Sequence, residues 1–225
     1  MYHVLLVMAA FGAGTLYLID STTWWIRGTG LPGTVGLYVS RTNIYQYFSR
    51  FLALSFNTIV AFSIENGATA FEVCAVLTAG FGLSALAHFA VLMGGGITHR
   101  LIGLLNRLLV LPANVLPHDT HLAPAKRRII APTAIATLFY NLGIALPLLL
   151  AVTFPAYRMS LSYLGQIANA FGTVMFLFLV DQVMYKSLDR GDLAGDLRSY
   201  SIGRIIALAS ASLMCALLAA VYYHG

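Results

Sequence analysis

The chain has 225 residues, of which 59% are hydrophobic and only 9% charged. A soluble domain carries roughly 25% charged residues, so this composition excludes a soluble enzyme and marks a polytopic membrane protein. The formal net charge is +5, but the basic residues sit in the connections between apolar segments, which speaks for membrane topology and against a nucleic-acid partner.

The apolar runs are too long and unbroken for the alternation of a barrel. They predict an all-α fold, a single integral membrane domain over residues 1–225 with six transmembrane helices and one interfacial amphipathic helix. The first span covers 4–25 and closes on Asp20, Trp24, Trp25 and Arg27, an aromatic and basic anchor of the interfacial kind. No basic stretch precedes it and no small-residue cleavage site comes before Asp20, so it reads as a retained span and not a signal peptide. A Gly- and Pro-containing turn leads to the second span, 34–64, longer than a core of ~30 Å requires at ~1.5 Å per residue. The third is 70–93. Residues 99–116 set Arg100, Asn106 and Arg107 against leucines and are too short and basic to span. They read as a helix lying in the interface, with a re-entrant hairpin as the alternative. A Pro- and His-rich loop ends in Lys126-Arg127-Arg128, and spans 129–154, 160–185 and 202–223 complete the chain. Pro147 is expected to kink the fourth span. Lys and Arg gather in the first, third and fifth connections, which puts both termini outside the cytoplasm.

On the second span Asn43, Gln46, Tyr47, Arg50 and Asn57 recur at steps of three, four and seven, so they share one helix face. An arginine in hydrocarbon costs at least ~2.5 kcal/mol, so Arg50 is expected to face a protein interior or a wet cavity. Arg27, Arg41 and Arg204 join it as candidates for a basic pocket, because the guanidinium fork matches phosphate oxygens. Each of the others would otherwise snorkel to headgroups or pair with Asp20 or Asp181. Asp181 follows Gln166, Asn169 and Thr173 at helical spacing. It reads as an arginine counter-ion, a proton-coupling carboxylate or a surface residue, and Asp20 has the same standing. Glu65 and Glu72, seven apart, are expected to share a face near the outer surface, as a solvated cap or an exit-side relay.

Other polar groups carry blander expectations. His118-Asp119-x-His121 resembles a metal cluster but lacks further ligands, so no metal and no cofactor is expected. Cys74 and Cys215 read as small core residues. His88 should hydrogen-bond between helices. Asp189, Asp192 and Asp196, interleaved with Arg190 and Arg198, should form a solvated, salt-bridged face. No nucleophile has a base at credible spacing and no His-Glu-x-x-His occurs, so no catalytic residue is expected and the chain reads as a non-enzyme.

The run Ile19-Asp20-Ser21, Arg27, Gly30, Asn43 and Ser49-Arg50, with Asn169-x-x-Gly172-Thr173 leading to Val180-Asp181, resembles the Amj-type alternative lipid II flippases of bacteria. The resemblance covers roughly the first sixty residues and 164–204; the chain has Ser21 where that pattern has Thr and Gln182 where it has Pro. It implies a bacterial cytoplasmic membrane protein that moves lipid II, the undecaprenyl-pyrophosphate-linked peptidoglycan precursor, to the outer leaflet for cell-wall synthesis. Arg50, Arg41, Arg27 and Arg204 would then meet phosphate. Asn43, Gln46, Asn57 and Asn169 would meet polar headgroup atoms, and Asp20 and Asp181 would pair the arginines of an empty site. The alternatives are a flippase for another polyprenyl-phosphate-linked sugar and a membrane-embedded enzyme acting on prenyl phosphates. Partners are the lipid-linked substrate and membrane lipids, and a homodimer is one route to alternating access without internal repeats.

Overall fold

The computed structural model describes residues 2–30, 33–112 and 122–224. The His118-Asp119-x-His121 motif lies outside them. The protein is an all-α polytopic membrane protein in which six segments are long and apolar enough to cross a bilayer. Helices α1 (Tyr2–Arg27), α2 (Val35–Glu65) and α3 (Ala70–Met93) come first, then the short α4 (Gly96–Leu108), α5 (Arg127–Thr153), α6 (Arg158–Met175), α7 (Gln182–Arg190) and α8 (Ala194–His224). A 3-10 turn, Pro155–Tyr157, links α5 to α6, and a π-helical segment, Phe176–Asp181, joins α6 to α7 in one rod.

Helix α1 packs on α2 and α3, α3 on α8, and α5 on both α6 and α8. In lipid such contacts are driven by close packing and not by escape from water, so small residues set them. A Cβ on Gly143 would come within 2.8 Å of the Gly165 carbonyl oxygen, and the α5–α6 seam closes only because both positions lack one. The core is stacked in two apolar layers. One gathers Leu16, Phe56, Leu77, Ile144 and Leu208; the other gathers Trp24, Val91, Ile129, Met184 and Leu197. Between them runs a belt of buried polar side chains that includes Thr22, Ser49, Ser84, His88, Thr137, Asn141 and Arg204.

Several sequence expectations change. The segment 99–116 is helical only from Gly96 to Leu108. There the backbone wraps back, with the Leu111 N–H donating to the Asn106 carbonyl over 2.8 Å and Val110 at φ 55°, a left-handed stop ahead of Pro112. The fifth span is not one regular helix, because the π segment interrupts it. The sixth begins at Ala194 and draws the charged connection into its first turns. Asp196 is consequently not part of a solvated face. It is fully buried, accepts from Ser187 Oγ and pairs with Lys126 Nζ at 2.8 Å. That pair raises the Lys126 pKa, through the hydrogen bond to Asp196 first.

Glu65 and Glu72 also separate, since one ends α2 and the other stands in the first turn of α3. Glu65 is exposed. Glu72 completes a capping box, accepting from the Thr69 N–H at 2.8 Å while Thr69 Oγ1 accepts from the Glu72 N–H at 3.2 Å, which satisfies two otherwise orphaned donors. It also meets His3 Nδ1 at 3.2 Å.

Candidate functional site

Helix α1 packs along α2, and residues of both face residues of the rod made by α6, the π segment and α7. Between these walls lie two adjoining chambers of about 460 and 180 Å³. Trp24, Gln46, Arg50, Leu177 and Asp181 line both. The larger chamber adds Arg27, Asn43, Tyr47, Gln182 and Tyr185; the smaller adds Asp20, Ser49, Tyr140, Thr173, Phe176, Tyr200 and Arg204. Three arginines thus face two carboxylates.

Arg27 is the best-held of the three and only 3% exposed. Its Nε donates to Thr42 Oγ1 at 2.8 Å, and Nη2 donates to Asn43 Oδ1 at 2.7 Å and Gln46 Oε1 at 3.3 Å. The guanidinium stands 4.7 Å from the Trp24 ring and 5.6 Å from that of Tyr185. Every one of these partners is neutral, and no carboxylate among the described residues is within ion-pair distance of Arg27. A buried cation is usually matched by an anion, because leaving its charge uncompensated costs several kcal/mol (about 3–5). Burial removes snorkelling as the alternative to a pocket role for Arg27: its side chain turns into α2 because Thr42, Asn43 and Gln46 present acceptors there at helical spacing.

Arg204, 6% exposed, closes the inner chamber. Its Nε donates to Tyr200 Oη at 3.1 Å, its face lies 4.6 Å from the Phe176 ring, and Nη2 reaches Asp20 Oδ2 at 3.5 Å. The Asp20 contact is a single long one and not a bidentate fork. Arg50 stands where the chambers meet, exposed on the open side with its guanidinium 5.7 Å from the Tyr47 ring. Asp181 ends the π segment, half-buried, and forms no ion pair among the described residues. Unpaired charges of both signs therefore share one cavity.

Arg41, Asn57, Asn169, Glu65 and Glu72 line neither chamber. Arg41 precedes Thr42 and points outward, exposed. Asn57 is two turns beyond Arg50 on the same face, ~10 Å further along the helix and past the residues that line the cavity, and its Oδ1 has no partner among the described residues. Asn169 is spent on packing beside Gly143 in the α5–α6 seam. The sequence reading did not include Trp24, Gln182, Tyr185 or Tyr200 among binding residues. For Tyr185 and Tyr200 a signal was present: Leu177, Asp181 and Tyr185 recur every four residues, as do Tyr200 and Arg204. His88 departs from expectation as well, being fully buried with no partner for either ring nitrogen among the described residues.

Chemically, the site offers forked donors and aromatic faces, with the amides of Asn43, Gln46 and Gln182 beside them. That combination suits an anion carrying polar substituents. Among the described residues no group of three or more His, Cys, Asp or Glu could hold a metal. No family model, no curated protein and no solved structure matches the chain.

Proposed function

We propose that the protein carries an anionic lipid-linked headgroup across the bacterial cytoplasmic membrane, from the cytoplasmic to the outer leaflet. Lipid II, the headgroup implied by the sequence resemblance, is the chosen substrate, with other polyprenyl-phosphate-linked sugars as the nearest alternative. One observation carries the reading: Arg27 is buried in the wall of an open cavity with neutral partners only. Asp181 across the same cavity acts on this cation only through space, so an arriving anion would be its first direct counter-ion. Phosphate fits because its oxygens accept the fork in parallel, and the surrounding amides and aromatic rings suit sugar hydroxyls and sugar faces. The distribution of Lys and Arg among the connections supports a cavity on the cytoplasmic half with both termini outside.

The test is transfer of fluorescent lipid II between leaflets of proteoliposomes, with and without competing polyprenyl-phosphate sugars. Native protein is expected to accelerate transfer, and Arg27→Gln to abolish it while still accumulating in the membrane. Movement of the other lipids without lipid II would reassign the substrate; release of phosphate or a changed lipid mass would move the protein to the enzymes.

A further inference from the structure

The two chambers differ in a way that a single binding site does not require. The larger, outer one is built on Arg27, which has no carboxylate within ion-pair distance among the described residues; the smaller, inner one is built on Arg204, which has Asp20 at 3.5 Å. Arg50 lines both, with its guanidinium beside the face of Tyr47. The three arginines fall at two levels along the bundle, Arg27 at one and Arg50 with Arg204 at the other. Arg27 is the last residue of α1 and is level with Thr42 to Gln46 of α2. Asp20, seven residues back along α1, and Arg50, seven beyond Asn43, each lie ~10 Å further along the bundle at ~1.5 Å per residue.

Resting on the proposed function, we propose that the inner chamber is a second diphosphate-binding station, which the anion reaches from Arg27 by way of Arg50. An incoming phosphate takes the place of Asp20 on Arg204. The exchange is feasible because the existing contact is monodentate and long, whereas phosphate offers the fork two oxygens at once. Asp20 is then the residue that keeps the inner station weak. A carrier needs that weakness, since a ligand held too firmly at the second station would not leave. Asp181 faces both chambers from the opposite wall, so its charge lies beside the path from one station to the other.

The probe is farnesyl diphosphate, a short soluble polyprenyl diphosphate, bound to the full chain in nanodiscs; leaflet transfer of a fluorescent short-chain analogue is measured in parallel. Arg27→Gln should lose binding. Arg204→Gln should keep binding within about threefold and lose transfer by about tenfold or more. Asp20→Asn should bind about fivefold more tightly or better yet transfer more slowly. That opposite pair of changes is not what a merely structural ion pair gives, and Asp20→Asn also serves if Arg204→Gln fails to accumulate. Arg50→Gln should behave like Arg204→Gln. The two-station scheme is overturned if Arg204→Gln loses binding as fully as Arg27→Gln, or if Asp20→Asn and Arg50→Gln bind and transfer as the native chain does. If the native protein neither binds nor moves the probe, the proposed function fails first and takes the stations with it.

Discussion

Arg27 closes α1 by donating from Nε to Thr42 Oγ1 over 2.8 Å, so the residue that faces the cavity is also the one that ties α1 to α2. Thr42 is itself fixed, since its hydroxyl donates to the Tyr38 carbonyl at 2.7 Å. The fork is therefore held in orientation before any ligand arrives, and preorganisation of this kind reduces the ordering a ligand must otherwise bring about. Arg27→Lys retains the charge but cannot serve Thr42, Asn43 and Gln46 with one planar group. It is expected to weaken diphosphate binding by about tenfold or more and to lower stability by about 1–3 kcal/mol. Thermal unfolding in detergent beside probe binding separates the two effects, and a lysine variant equal to native in both would remove the fork from the account.

The Lys126–Asp196 pair fixes the segment before α5 to the elbow between α7 and α8. Lys126 also donates its backbone N–H to Ser199 Oγ at 2.6 Å, and Arg198 reaches the Ala123 carbonyl at 2.7 Å. Lys126→Met leaves a fully buried carboxylate with Ser187 alone and should cost about 3 kcal/mol. Asp192→Asn, at the exposed side of the same lysine, should change stability by under ~1 kcal/mol. The pH dependence follows from the raised Lys126 pKa. A cation held above its unfolded value contributes fully below about pH 10.4 and loses that contribution as pH rises through the folded value. Unfolding curves between neutral and strongly alkaline pH should show an alkaline loss that Lys126→Met lacks.

The positions of the spans were legible because each is a long apolar run, and a run of that length has one structural solution in lipid. What lies inside them was less legible. Asn43, Gln46, Tyr47 and Arg50 do share the cavity face as their spacing implied, but which arginine is buried depends on where acceptors sit on the next helix, and spacing along α2 says nothing of α1. Asp196 looked solvated because its neighbours in sequence are charged, whereas its partner Lys126 is far away in the chain. The π segment leaves no periodic mark, since one extra residue among apolar ones does not disturb the composition that announces a span.

That π segment supplies Phe176, Leu177 and Asp181 to the chamber walls. A wide turn accommodates about one extra residue and is found most often at functional sites. Deleting exposed Leu179 should restore regular α-helix while leaving α7 in phase, so Gln182 and Tyr185 still face the cavity. The expected result is a melting temperature equal to native or higher, with slower leaflet transfer. Native transfer in the deletion variant would show that the wide turn has no part in it.

The α5–α6 seam gives a prediction independent of any substrate. Gly143→Ala places a methyl within 2.8 Å of the Gly165 carbonyl and 2.9 Å of the Asn169 nitrogen. Backbone atoms cannot step aside as a flexible side chain would, so the helices must part. Overpacking of this kind costs about 1–3 kcal/mol. Gly12→Ala, where nothing lies within 4 Å of the new carbon, is the matched control and should be neutral or slightly stabilising. Equal melting temperatures for the two variants would mean that the seam is looser than described.

His88 sits in the polar belt, fully buried, with the ring of Tyr17 at 6.5 Å and neither nitrogen bonded among the described residues. Tyr17 donates its hydroxyl proton to Asn141 Oδ1 at 2.6 Å, so it has none to give the histidine. An unsatisfied buried donor or acceptor costs about 1–3 kcal/mol, and an apolar group of similar shape removes that penalty. His88→Leu is therefore expected to raise the melting temperature, with a gain of about 1 kcal/mol or more. Tyr17→Phe should lower it, because Asn141 would lose its hydroxyl donor while its Nδ2 already lacks a partner. A destabilised His88→Leu variant would instead reveal a bound water serving the imidazole, since buried waters typically bridge such orphaned groups.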